Sequence, residues 1–230
     1  MLFKREIKAF RDKAMYFNDE QTAQLNDLIK KIEKRTGVEL VAAVVGKCDS
    51  YPEIPWKAFA LAVAAGSLAH LIWSIANPDW IAAWSGHLSL VFILCAGATA
   101  ALLTLWPAFG RLFLDRVRAE TETEQYGRAF FLEREMFHTR ARTGILILVS
   151  LFERKVVIVP DKGAAARLDQ NVLYTVISLM APYLRRRERF HALTQGLSEL
   201  EKGLVEAGFR PLPQDKDEIA DELIQKKGAD

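Results

Sequence analysis

The chain has 230 residues, 50% of them hydrophobic and 26% charged, with a formal net charge of +2, a mixture that excludes a disordered, collagenous or coiled-coil protein. The average hides a sharp division, because among the 53 residues between Lys57 and Arg111 the only Asp, Glu, Lys or Arg is Asp79. The chain therefore reads as a highly charged soluble protein with a hydrocarbon insert, and its nearly balanced charge argues against nucleic acid as a partner.

In chain order, Phe3, Ile7, Phe10, Ala14 and Phe17 recur at helical spacing between Lys4, Arg5, Lys8, Arg11 and Lys13, the pattern of a basic amphipathic helix that lies on an anionic membrane or covers the core. These charges also interrupt residues 1–17 too often for a cleavable leader. Asn18 with Gln21 three positions on forms a capping box for a helix carrying Leu25, Leu28, Ile29 and Ile32, which ends at Thr36-Gly37. A strand over 38–45 follows.

Residues 58–76 and 88–106 are each 19 residues without a charge, about 28 Å of helix and long enough to cross a bilayer. The connector 77–87 holds Trp80 and Trp84 but no Lys or Arg, whereas Lys57, Arg111, Arg116 and Arg118 flank the pair. Under the positive-inside rule the connector faces outward and both termini are cytoplasmic. Ala62, Gly66 and Ala69, facing Ala96, Gly97, Ala98, Ala100 and Ala101, permit the two spans to pack on each other. His70 falls at mid-span, where a lone imidazole more often bonds a neighbouring backbone or hydroxyl group than relays protons. Cys48 and Cys95 fall in different environments and read as buried thiols of a reducing compartment.

After the insert, a long helix is expected over 119–140, then an apolar strand over 145–152. Glu153, Arg154 and Lys155 turn the chain into a second strand over 156–159, antiparallel to the first. The sheet is expected to be mixed and apolar on both faces, so helices must cover both sides, and 169–186 and 188–207 are assigned to that task. Gly208 ends the last helix, Pro182 should end or kink the one before it, and an acidic tail holds Asp215, Asp217, Glu218, Asp221 and Glu222. The expected fold is α/β, an α/β/α sandwich with a small mixed sheet interrupted by a two-helix transmembrane hairpin. Residues 1–56 and 107–230 would form one cytoplasmic domain, and 57–106 the hairpin.

Thr36-Gly37-Val38-Glu39-Leu40, Ser50-Tyr51-Pro52, Thr143-Gly144-Ile145-Leu146, Ser150-Leu151-Phe152-Glu153-Arg154 and Val157-Ile158-Val159-Pro160-Asp161-Lys162-Gly163 occur in that order. Together they resemble the TPM domain family in its bacterial, membrane-inserted form. The resemblance implies the α/β/α sandwich, a multi-pass place in the bacterial inner membrane, and a role in membrane-protein maintenance. Relatives act in photosystem repair and as an accessory to a neurotransmitter-gated channel, and a plant relative is an acid phosphatase with a bound divalent cation. The family's C-terminal Asp-x-Asn-Glu-Leu is here Asp215-Lys216-Asp217-Glu218-Ile219, where a carboxylate replaces the amide and alters any ligand geometry.

With that resemblance, Asp161, at a strand end where ligands of α/β sheets collect, becomes a candidate metal ligand, joined by Asp217 and Glu218 if the tail folds back. An oxygen-rich set of this kind suits Ca²⁺ or Mg²⁺; the alternatives are turn chemistry for Asp161 and a solvated acidic tail. Arg185, Arg186, Arg187 and Arg189 form the densest basic run, a lipid or phosphate contact or a solvated face. No Cys-x5-Arg loop, no Asp-x-Asp at a strand end and no clustering of His70, His87, His138 and His191 occurs, so no catalytic residue is assigned. The leading expectation is a non-catalytic accessory or adaptor that contacts the lipid bilayer and other membrane proteins, with self-association left open. The alternative is a divalent-metal-dependent phosphatase acting on phosphomonoesters.

Overall fold

The structure, a computed structural model, describes residues 16–77, 86–211 and 223–229. It divides into two compact units, Met1–Asp49 with Ala119–Asp230, and Ser50–Arg118. The fold is mixed α/β and mostly helical, with one small four-stranded sheet.

In the first unit, helix α1 (Asp19–Thr36) starts as the sequence predicts. Asn18 Oδ1 accepts the Gln21 N–H at 2.7 Å and Gln21 Oε1 accepts the Asn18 N–H at 3.3 Å, and Gly37 closes the helix at φ 66°. Strand β1 (Leu40–Val45) lies parallel to β2 (Ile145–Ser150), Leu40 opposite Ile145, and β2 lies antiparallel to β3 (Lys155–Pro160), Ile145 opposite Pro160. Residues from before and after the insert thus share one sheet. The fourth strand, β4 (Ile224–Lys226), adds in parallel to the other side of β1, giving the order β3-β2-β1-β4. The sequence reading missed it, because three residues behind an acidic stretch carry no usable alternation.

β1 and β2 are buried on both faces, as expected, while β3 at the sheet edge is half-buried throughout. The helical layers differ from expectation. Helices α7 (Gln170–Arg185) and α8 (Arg189–Glu206) share one face with α1, over Leu40, Ala42, Val44, Ile145, Ile147 and Val149. The opposite face, with Val41, Ala43, Leu146 and Leu148, is covered by Phe130 and Phe131 of α5 (Arg116–Glu133) and by Met136. Gly127 lies against Leu148, Val157 and Val159, at distances where a Cβ would make ordinary van der Waals contact, 3.5 to 3.6 Å. α5 also stops at Glu133 rather than running to Arg140. Glu135 takes a left-handed φ of 52°, and a single 3₁₀ turn over Met136–His138 follows. Pro182 is carried inside the last turn of α7, a place where one lost hydrogen bond is tolerated.

In the second unit, helix α2 (Glu53–Ala76) begins earlier than the predicted span, with Pro55 accepted in its first turn. Helix α3 (Gly86–Leu103) ends earlier than predicted. The chain then bends by 103° into α4 (Pro107–Gly110) and a 3₁₀ turn over Arg111–Phe113. Pro107 causes the break by holding Trp106 in an extended conformation, φ −81° and ψ 116°. The two apolar helices pack on each other through the predicted small residues: a Cβ on Gly97 would lie 2.7 Å from Val63 and 2.9 Å from Phe59. Among the described residues, α2 alone is long and apolar enough to cross a membrane; α3 reaches that length only together with the bent segment. Only 6% of the most apolar stretch of α2 is buried.

The amphipathic pattern over 3–15, the connector tryptophans Trp80 and Trp84, and the acidic tail lie outside the described residues.

Candidate functional site

The parallel pair β1 and β2 gives the sheet two unlike edges. Ligands of open α/β sheets collect at the carboxyl ends of such strands. Asp161 follows β3, which runs the other way, so it stands at the amino-terminal edge, its N–H donating to the Gly144 carbonyl at 2.8 Å. The strand-end argument that made Asp161 a ligand candidate therefore points to the wrong edge.

Asp161 is 5% exposed and caps the short helix α6 (Lys162–Ala165), with Oδ1 accepting the Lys162 N–H at 2.8 Å. Arg142 Nε donates to Oδ2 at 2.6 Å and Nη2 to Oδ1 at 3.0 Å. Burial opposes ionisation of this carboxyl, but the Arg142 guanidinium and the Lys162 N–H outweigh it and hold the group below its usual range. The corner is tightly built: a Cβ on Gly163 would lie 2.2 Å from the Ala141 carbonyl oxygen. Both carboxylate oxygens are thus engaged by the protein itself. Asp217 and Glu218 lie outside the described residues, and among the described residues no group of three or more His, Cys, Asp and Glu could hold a metal.

The carboxyl-terminal edge carries a polar cluster that the sequence did not reveal. Glu153, buried in the β2–β3 turn, accepts the Cys48 N–H on Oε1 at 2.8 Å and the Ser150 hydroxyl on Oε2. Burial, opposed by hydrogen bonds to Ser150 and Thr123 and reinforced by the charge of Glu153, pushes the Cys48 thiol up to about 12. A thiol in that state is no nucleophile at neutral pH. Ser150 and Glu153 form a hydroxyl–carboxylate pair sealed from solvent, so the cluster fastens the post-β1 loop to the hairpin rather than presenting a reactive group. Cys48 had been read as a buried thiol, but pairing it with Glu153 required a contact across 105 residues.

The basic run resolves into a helical turn. Arg185 ends α7, Arg186 and Arg187 form the turn with Arg187 at φ 65°, and Arg189 opens α8. Arg185, Arg186 and Arg187 are exposed, and Arg189 lies over the Tyr16 ring at 5.4 Å.

A family model described as the TPM domain matches residues 112–203, from the end of the insert into α8. The Thr143-Gly144, Ser150–Arg154 and Val157–Gly163 stretches that carried the resemblance fall inside this match; Thr36–Leu40 and Ser50–Pro52 fall outside it. No curated protein matches the chain. Among solved structures, the NMR structure of the BA42 protein from the psychrophilic bacterium Bizionia argentinensis superposes with a TM-score of 0.54 at 14% identity, covering 91% of this chain and 95% of that one. At that identity the likeness establishes a shared fold.

Proposed function

We propose that this protein is a two-span membrane protein whose TPM-like domain, formed by residues 1–56 and 107–230, lies in the cytoplasm and serves as an accessory in the assembly, repair or turnover of other membrane proteins. The observation that carries the membrane reading is the exposure of α2 and α3. Leu61, Leu68, Leu71, Ile72, Leu90 and Phe92 are each more than half exposed, an apolar surface that water disfavours and lipid accepts. Their buried side is spent on each other. The accessory role is supported by the internal satisfaction of the polar clusters, Asp161 by Arg142 and Glu153 by Cys48 and Ser150. The phosphatase alternative draws on the matched family model, which carries that word in its name, and would require Asp161 to exchange Arg142 for a cation.

A tagged full-length chain expressed in bacteria should stay with membranes after alkaline extraction and bring down specific membrane proteins after gentle solubilisation. Release by alkali would remove the anchoring, and a pull-down equal to the untagged control would remove the accessory role. Ser85→Cys in a Cys48→Ala, Cys95→Ala background should label from outside intact cells, and labelling only after lysis would reverse the topology. Hydrolysis of a phosphomonoester that vanishes with chelator and with Asp161→Asn would establish the alternative.

A further inference from the structure

We propose that the carboxyl-terminal edge of the sheet in the first unit docks on the anionic headgroups of the bilayer, with Arg185, Arg186 and Arg187 as its main contacts and Arg154 as a further one. The proposal rests on the membrane reading above and adds to it the face that meets the lipid and the lipid chemistry recognised.

The fold places these residues together on one edge. Arg167 Nη2 donates to the Ala207 and Gly208 carbonyls at 3.3 and 2.7 Å, which fixes the end of α8 near the Asp161 edge. The α7–α8 turn is then one 18-residue helix away, about 27 Å, at the opposite edge. Tyr16 confirms this: its ring lies under Arg189 at 5.4 Å, while its hydroxyl donates to the carbonyl of Lys226, which faces Val45, the last residue of β1. Arg154 sits exposed at the tip of the β2–β3 hairpin, on the same edge.

Among the described residues the charge there is mostly unpaired and held in place. Arg154, Arg185, Arg186 and Arg187 make no ion pair with a described residue. The turn bearing three of them is fixed by the left-handed Arg187 and by the Glu188 N–H donating to the Tyr183 carbonyl at 2.9 Å. Glu188 offsets one positive charge, and Glu153 is buried and already engaged. The guanidinium groups stand on an open surface, a geometry that suits a plane of phosphate-bearing headgroups better than one enclosed anion.

Chain continuity supplies the partner. The chain leaves this unit at Asp49, next to Cys48, which is bonded to Glu153 in the hairpin turn. It re-enters at Ala119, next to Glu120, whose carboxylate pairs with Lys155 at 3.5 Å. Both connections to the apolar helices therefore emerge from the arginine-bearing edge, and α2 begins at Glu53. The bilayer proposed to hold those helices carries, where its lipids are anionic, a surface potential that attracts basic residues and decays over about 8 to 10 Å in physiological salt.

The test uses the full-length protein in nanodiscs of phosphatidylcholine alone or with one-quarter phosphatidylglycerol, read by amide hydrogen exchange. Segments 184–191 and 152–156 should exchange more slowly in the anionic discs, by about fivefold, the scale of one basic residue at an anionic surface. The slowing should disappear at high salt and in Arg185→Gln/Arg186→Gln/Arg187→Gln, and survive in the corresponding triple Lys variant. Inorganic phosphate added to the neutral discs should not reproduce it; if it does, the site binds free anion and the headgroup proposal is overturned. Equal exchange in both discs, with α2 and α3 protected in each, overturns the docking while leaving the anchoring intact. A chain that stays outside both kinds of disc overturns both.

Discussion

Arg142 grips the Asp161 turn from two sides. Its guanidinium donates to both carboxylate oxygens at 2.6 and 3.0 Å, while its carbonyl accepts the N–H groups of Gly163 and Ala164 at 2.9 and 3.2 Å. The loop before β2 is thereby tied to the turn after β3. The two partners are unequally exposed, the Arg142 side chain 46% and the Asp161 side chain 5%, and this asymmetry decides the mutational outcome. Asp161→Ala should cost about 1 to 3 kcal/mol, because the guanidinium can return to water. Arg142→Leu should cost more, because it strands a buried carboxylate. Melting curves of the full-length variants in mild detergent check the order.

The same pair gives a pH signature. The Asp161 carboxyl titrates below its usual range in the folded protein, so its contribution to stability is fully present above the unfolded value, about 3.9. It is lost as pH falls from there through the lower folded value. The stability difference between the natural chain and Asp161→Asn should be constant between pH 5 and 7 and shrink below about pH 4. A difference that persists unchanged at pH 2 would show that the charge does not matter.

A cation at Asp161 would have to displace a bidentate guanidinium. Millimolar Ca²⁺ or Mg²⁺ should therefore leave the melting temperature unchanged in the natural chain. A rise that is abolished by Asp161→Ala would instead establish a metal site there, since ligands of the native state stabilise by mass action.

Glu153 should matter more than its place in a polar turn suggests. Glu153→Ala leaves the Cys48 N–H and the buried Ser150 hydroxyl without their acceptor, at a cost of about 2 to 4 kcal/mol. In a Cys95→Ala background, Cys48 should react with a maleimide at pH 8 only slowly, because burial keeps it protonated. The Glu153→Ala substitution should speed that reaction at least tenfold. Equal rates would mean that the clasp does not hold the loop.

Replacing residues 57–106 by a short flexible linker should give a soluble protein that unfolds in one cooperative transition, since the sheet and its covering helices are encoded outside the insert. Separate transitions, or failure to fold, would show that the insert is needed to assemble the sheet.

What the sequence determined by itself was local. The Asn18–Gln21 capping box, the closing glycines Gly37 and Gly208, the tight turn between β2 and β3, and the apolar insert with its small residues all follow from neighbours a few positions apart. Tertiary structure decided what depends on distant partners. Continuous apolar runs say that β1 and β2 are buried on both faces, but not which helix lies on which face; Phe130 and Phe131 put α5 on the second face, where the sequence suggests one of the two later helices. β4 is a strand only because β1 offers it an open edge. Asp161 looked like a ligand because its strand end was visible and its partner Arg142, 19 residues away and with a left-handed backbone, was not. The arginine run was legible as charge, but its position at the edge from which the chain departs toward the apolar helices came from the length of α8 and the packing of Tyr16.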